Sequence, residues 1–357
     1  MALDILITGI CGFVGSEIAL ALRQHFASND LRIRGLDNYS RRGSWRNCER
    51  LEHAGIEVVH ADIRCTSDVE SIGPVDWVID AAANPSVLAG IDSKSGSRQL
   101  LESNLAGTVN LLEHCKNHKA GLILLSTSRV YSIDPLTKLP VEVATDKFRP
   151  STNDFPIGVS DSGIQETFST APPVSLYGAT KLASEQLALE YGYTFDFPVW
   201  INRCGVMAGA GQFGKADQGI FAYWLHSWKE GRSLRYIGFD GQGHQVRDCL
   251  HPRDLSLLLI RQLETSPADQ PRVVNVSGGI ESARSLKQLS DWCEERWGSN
   301  EVLADTTPRP FDLPWVVLDH SLATQTWGWN PTTPVESIIE EIAVFAEANP
   351  NWISISR

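Results

Sequence analysis

The most constraining stretch of this chain is its beginning. Asp4–Thr8 (DILIT) is a short apolar run; GICGFVG follows it directly and opens a helical pattern that continues to Phe26. A strand that turns through three glycines into a helix is the local plan of a dinucleotide-binding unit. Gly9 permits the tight turn, Gly12 lets the main chain approach a pyrophosphate, and Gly15 lets the helix pack closely on the strand. Phe13 and Val14 open the helix, whose free amides and partial positive charge favour an anion. The spacing is G-x-x-G-x-x-G rather than G-x-G-x-x-G.

Similar apolar runs recur along the first 200 residues, alternating with helical patterns. Ile33–Leu36 ends at Asp37, Ile56–His60 in Ala61-Asp62-Ile63, Trp77–Ile79 in Asp80-Ala81-Ala82-Ala83, and Leu122–Leu125 in Ser126-Thr127-Ser128. Leu100–Lys116, which contains Asn104, reads as one helix, and Val199–Asn202 as a sixth strand ending at Arg203. Such alternation predicts an α/β fold, a doubly wound parallel (Rossmann) sheet covered on both faces, with ligands at the carboxyl ends of its strands. Asp37 stands roughly 20 residues beyond Gly15, where a carboxylate accepts the ribose hydroxyls of NAD and repels the extra phosphate of NADP. Asn38, Ser40 and Arg41 follow at the ribose, and Arg41 with Arg42 would suit a phosphate, which tempers the preference for NAD. Asp62 and Ile63 are expected to edge the adenine. Ala81, Ala82 and Ala83 suit close passage of a cofactor, although tight packing explains them almost as well.

A second constellation lies in LYGATKLASE. Tyr177 and Lys181 are i and i+4, so on a helix the phenol and the amine share one face. An ammonium beside a phenol favours the phenolate, which lowers the tyrosine pKa and suits it to take a proton from a sugar hydroxyl. By itself this spacing more often marks a surface helix pair, and a threonine after a strand, such as Thr127, is more often a turn residue.

At 357 residues, 42% apolar and 21% charged, the chain has the composition of a soluble globular protein with room for two lobes. A net charge of −12 argues against nucleic acid as partner. No apolar run reaches the length of a membrane span. Seven cysteines without paired or metal-type spacing fit a reduced cytoplasm, and no metal is expected.

TGICGFVG, Asp37, LLSTSRVY and YGATK, in this order and spacing, resemble the extended short-chain dehydrogenase/reductase family, the NAD-dependent nucleotide-sugar epimerases and dehydratases. The likeness spans essentially the whole chain. It implies that Thr127, Tyr177 and Lys181 are the catalytic hydroxyl, base and lysine, with Asn104 and Ser126 beside the cofactor. It also implies a nucleotide-diphosphate sugar as substrate, held by Arg247 in GQGHQVRDCLHPRDL, by Arg309, and by Gln212, Phe213 and Gln218 of the glycine-rich AGQFGKADQG, with Thr127 reaching the sugar. His and Asp in the Arg247 block would also suit a metal, but the block fits the arginine motif. The family wording Arg-x-x-Asn-x-Tyr-Gly-Pro is degraded after Arg203, and Ser132 stands where the family commonly has Gly.

The division expected is 1–203, with 252–279 returning to it, for the cofactor, and 204–251 with 280–357 for the substrate. Ser132–Ser175, with six prolines, reads as an ordered wall of the site. Dehydratases of the family place an acid pair after the threonine. Ser128 and Arg129 cannot serve as one, which leaves oxidation and re-reduction of one sugar carbon. A finer likeness, in DNYSRRGSWRN, ADIRC, STSRVYS and the two blocks just quoted, is to one epimerase branch. Epimerisation of a UDP-sugar at C4 and a non-catalytic NAD-sensing regulator are the alternatives. The family's pairing of long helices implies a homodimer or a dimer of dimers.

Overall fold

The computed structural model describes residues 2–91, 96–152, 154–265 and 270–355. Seven strands form one sheet: β1 (Leu3–Thr8), β2 (Leu31–Asp37), β3 (Glu57–His60), β4 (Trp77–Asp80), β5 (Gly121–Thr127), β6 (Val199–Cys204) and β7 (Val273–Val276), in the order β7-β6-β5-β4-β1-β2-β3. Every pairing is parallel, with Leu3 opposite Leu31 on one side of β1 and Ile5 opposite Trp77 on the other. The strand order reverses between β1 and β4, so the connections leave in opposite directions and a crevice opens at their carboxyl ends.

Period-two alternation sends successive residues to opposite faces, and both faces are dry. Ile5, Ile7, Ile79, Ile123 and Trp200 pack under Ile18 and Leu22 of the Phe13–His25 helix and Leu255, Leu258 and Leu259 of the Pro252–Glu264 helix. Leu6, Val78, Leu122, Leu124 and Ile201 face Leu111, Leu112 and Cys115 of the Gly107–His118 helix and Ala188 of the Ser175–Phe195 helix. Two-sided burial is why the strands read as unbroken apolar runs.

The helix expected over Leu100–Lys116 is not uniform. Ser97–Leu101 and Gly107–His118 are α-helical, but Glu102–Ala106 between them is a π-helical turn. The widened turn frees the Asn104 carbonyl, which accepts Thr108 Oγ1 at 2.9 Å and Ser184 Oγ at 3.1 Å.

The proline-rich stretch after Tyr131 is ordered around two small hairpins, Val141–Ala144 with Lys147–Pro150 and Val159–Ser160 with Gly163–Ile164. Its Val159, Ile164 and Phe168 share a core with Tyr131, Val246 and Trp315–Leu318. Backbone bonds tie it down, from Ile164 N to Val317 O and from Asp319 N to Ile164 O.

A separate core joins the Ile220–Lys229, Leu286–Trp297 and Val335–Ala348 helices. Ser285 and Gln288 close a capping box on the second of these. Asp248 and Asp254, neighbours of the arginine motif, serve the backbone here. Asp248 accepts from the amides of Val206 and Leu318, and Asp254 from that of Thr333. No helix among the described residues is long and apolar enough to cross a membrane.

Candidate active site

The glycine turn sits at the crevice. Gly9 has φ +61, and a Cβ there would come within 2.9 Å of Ala82 Cα. A Cβ on Gly15 would lie 2.4 Å from the Gly9 carbonyl oxygen. Around Gly12 only the Gly9 oxygen is near, so its outer side is open. No side chain caps the helix that starts at Phe13. Its first amides, at Phe13, Val14 and Gly15, therefore remain for a pyrophosphate, and these residues fit a dinucleotide. Asp37 closes the turn on β2, accepting from Cys11 N at 3.0 Å and Tyr39 N at 2.8 Å. These bonds leave a carboxylate with acceptor capacity for ribose hydroxyls, and burial holds the group above the usual carboxylate range, against the pull of the Tyr39, Cys11 and Gly12 amides and of His60.

Several expected cofactor residues turn out to be occupied. Asp62 accepts from Asn38 Nδ2 at 3.0 Å and from Arg64, which draws its pKa down to about 2. Ile63 is buried against Gly107, and Ala82 Cα packs on Gly9, so tight packing is the physical reason for both. Ala81 is half-buried and Ala83 exposed. Ser40 donates its amide to Asn38 Oδ1. Asn104 spends its side chain on the backbone N–H and C=O of Asn84, at 2.8 and 3.1 Å, and on Thr180 Oγ1. The Ser126 hydroxyl donates to Glu185. Arg41 donates to Gln218 Oε1 at 2.7 Å and to the Phe213 carbonyl.

Thr127 ends β5, while Tyr177 and Lys181 lie in the first turns of the Ser175–Phe195 helix, and all three are buried. What brings them together is Gly178: a Cβ there would lie 2.2 Å from the Arg129 carbonyl oxygen, so the helix start rests directly on the turn after Thr127. Thr127 Oγ1 accepts from Arg129 N at 3.2 Å and lies close enough to the Tyr177 hydroxyl to act on its titration. The expected lowering of the phenol by Lys181 is not found. Burial pushes Tyr177 up to about 12, opposed by Thr127 and by the charge of Arg129. Lys181 is itself lowered by burial, against the attraction of Asp80 and Glu185. Its ammonium has no hydrogen bond among the described residues, as suits a group awaiting the hydroxyls of a ligand.

Sequence reading missed the support beneath this pair. Glu185 takes Arg203 Nε at 3.1 and 3.2 Å and Nη2 at 2.7 Å, an ion pair fully enclosed beneath Ser126. Arg203 also lies 5.1 Å over the Tyr131 ring, whose hydroxyl donates to Asn275 Oδ1 at 2.6 Å. Asp80 does similar work under the glycine turn, accepting from Thr8 Oγ1 at 2.7 Å while Thr8 Oγ1 accepts from Ala82 N at 3.1 Å.

Near the tyrosine, Arg129, Arg247 and Arg309 converge on Asp312, and Asp248 also attracts Arg247. Asp312 pairs with Arg247 at 2.8 Å, and Arg129 Nη1 donates to the Phe311 carbonyl at 3.2 Å. Burial and the repulsion of Arg247 and Arg309 bring Arg129 down to about 10. Three guanidiniums against two carboxylates leave an excess of positive charge, suited to a diphosphate. Phe213 is not at that surface: it is buried and stacked on Trp352 at 5.2 Å. Gln212 is turned inward, donating to the Met207 carbonyl at 2.7 Å.

A seven-stranded parallel sheet with a glycine turn at its switch point defines a Rossmann-class protein. The chain belongs to the NAD dependent epimerase/dehydratase family, whose model matches residues 5–277. Its similarity to CDP-paratose 2-epimerase from Salmonella typhi is 27% identity over 349 residues, 95% of this chain and 98% of that protein. UDP-glucuronate 4-epimerase 4 from Arabidopsis thaliana is 26% identical, over 94% of this chain and 73% of that protein. Among solved structures, UDP-glucuronic acid 4-epimerase from Bacillus cereus, in complex with UDP-glucuronic acid and NAD, superposes with a TM-score of 0.76 at 21% identity, covering 97% and 99% of the two chains. That likeness establishes the fold.

Proposed function

We propose that this protein is an NAD-dependent epimerase that inverts one carbon of a nucleotide-diphosphate sugar, closest in action to CDP-paratose 2-epimerase. The observation that carries the reading is the burial of Tyr177 beside Thr127 and the charge of Arg129, in a chain with Ser128 and Arg129 where an eliminating acid would stand. Tyr177 takes the proton of the sugar hydroxyl, Thr127 shares that hydrogen bond, and Lys181 orients the ribose and supplies positive charge. NAD held at the glycine turn and Asp37 would supply a reversible hydride acceptor for that carbon. Arg247 and Arg309 hold the diphosphate while the keto sugar turns its other face. The preference for CDP over UDP rests on the likeness of DNYSRRGSWRN, ADIRC and the Arg247 block to the 2-epimerase.

The same reading includes a cytoplasmic homodimer. Leu101, Leu176 and Tyr193 are exposed on the two helices that would pair across a two-fold axis. The test is incubation of purified protein with CDP-, UDP- and GDP-sugars, with each product resolved by its stereochemistry. Inversion of a CDP-sugar at C2 supports the proposal, and inversion only of UDP-sugars at C4 replaces it with the alternative. Tight NAD binding without turnover of any of them favours the NAD-sensing regulator.

A further inference from the structure

Two groups of residues expected at different ligands are joined in this molecule. Arg41 follows shortly after Asp37, on the loop that leaves β2 at the ribose side. Its Nη1 donates to Gln218 Oε1 at 2.7 Å and its Nη2 to the Phe213 carbonyl. Asp217, next in line, attracts the same guanidinium and accepts from Ser86 Oγ at 2.6 Å. Ser86 belongs to the loop after β4. The 212–219 loop is thus gripped from both loops that border the dinucleotide crevice.

The middle of the loop is met from the substrate side as well, where Arg309 Nη2 donates to the Ala216 carbonyl at 3.3 Å. Lys215 and Gln218 exchange backbone hydrogen bonds at 2.7 and 3.1 Å, and Gly219 turns the chain at φ +64. Its beginning is anchored on the other side, where Trp352 Nε1 donates to the Gln212 carbonyl at 3.0 Å. On the cofactor side, Tyr39 N bonds Asp37 and Ser40 N bonds Asn38, so the backbone from Asp37 to Arg41 is one braced segment.

We propose that Arg41 is a positioning residue that sets the 212–219 loop from the ribose loop, so that cofactor occupancy raises affinity for the diphosphate ligand. The inference rests on the nucleotide-sugar reading. A ribose held by Asp37 fixes the braced segment, the segment fixes Arg41, and Arg41 fixes the loop. Ordering the loop in advance removes a cost otherwise met when the second ligand binds. Linkage makes the effect reciprocal, so the diphosphate also tightens the cofactor by the same factor.

The experiment measures CDP and UDP binding by calorimetry, to NAD-loaded protein and to protein stripped of NAD, for wild type, Arg41→Gln and Arg41→Lys. Wild type should bind its preferred diphosphate about fivefold or more tightly when NAD is present. Arg41→Gln should bind at the weaker affinity in both states while retaining NAD and its melting temperature. Arg41→Lys, which keeps the charge but not the fork, should recover only part of the coupling. Loss of NAD from Arg41→Gln would overturn the proposal by making Arg41 a cofactor ligand. Equal diphosphate affinity with and without NAD in wild type overturns the coupling alone. A wild type that binds neither CDP nor UDP overturns the nucleotide-sugar reading and this inference with it.

Discussion

Replacing Glu185 by glutamine removes the counter-charge on which the catalytic helix is seated. Glu185 is 0% exposed and Arg203 7%, and three N–H···O contacts between 2.7 and 3.2 Å join them. In Glu185→Gln the guanidinium keeps its charge but meets one neutral amide oxygen in place of two carboxylate oxygens. Its other acceptors, the Tyr131 hydroxyl and the Glu166 carbonyl, are neutral and each 3.4 Å away. Breaking one side of such a buried pair costs about 3–5 kcal/mol. With the two weak acceptors left, we expect about 3 kcal/mol, which is roughly 150-fold in the folding equilibrium. Urea unfolding followed by tryptophan fluorescence reads this, since Trp200 lies buried on β6 beside Arg203. The double variant Glu185→Leu/Arg203→Met should lose less than Glu185→Gln, because no bare charge remains. A loss below about 1 kcal/mol in Glu185→Gln, or additive losses in the double variant, would refute the enclosed pair.

Four further outcomes are expected. Tyr177→Phe should bind CDP or UDP normally but lose two or more orders of magnitude in turnover, about 3 kcal/mol of barrier; unaltered turnover would reduce Tyr177 to a packing residue. The purified protein should carry NAD, and Asp37→Ala should weaken NAD far more than NADP, so acid-released NADP from the wild type would contradict the ribose role of Asp37. Turnover in heavy water should give product with no deuterium on the inverted carbon, whereas stoichiometric deuterium there would point to inversion by proton exchange. Finally, burial brings His114 and His226 down to about 4. Between about pH 6.5 and 4 the unfolded chain therefore binds more protons, and stability falls with pH by up to about 3 kcal/mol per histidine. Melting that does not change from pH 7 to pH 5 would be inconsistent with this, and His226→Gln should flatten the profile.

The sheet was legible because its central strands are buried on both faces and so appear as apolar runs, and the glycine turn because its spacing is local. The Tyr177–Lys181 pair was legible for the same reason, being one helical turn. Glu185 continues that spacing at i+8 from Tyr177, a signal that was available, but its partner Arg203 lies on another element and only the fold brings them together. Gly178 carried a second signal: a glycine inside a helix, at a cost relative to alanine, marks a close approach. The charge state of Tyr177 could not be read from the pair alone, since its dominant cause is burial. The contacts of Arg41 with Gln218 and Phe213 could not be read, because they lie far along the chain and only the fold brings them to the ribose loop.

The π-helical turn at Glu102–Ala106 has a consequence for how this segment tolerates change in length. A turn holding one extra residue shifts the angular phase of everything after it by about 100° relative to what precedes it. Leu100 before the turn meets Ala89 and Tyr177, while the Thr108 hydroxyl after it shares its one proton between the Asn104 carbonyl at 2.9 Å and Asp80 at 3.2 Å, and the two contacts are in step only because of that offset. Deleting any single residue between them would give a more regular helix and a worse protein. Thr108 would swing away from Asp80, and the acid that steadies the glycine turn would lose a donor.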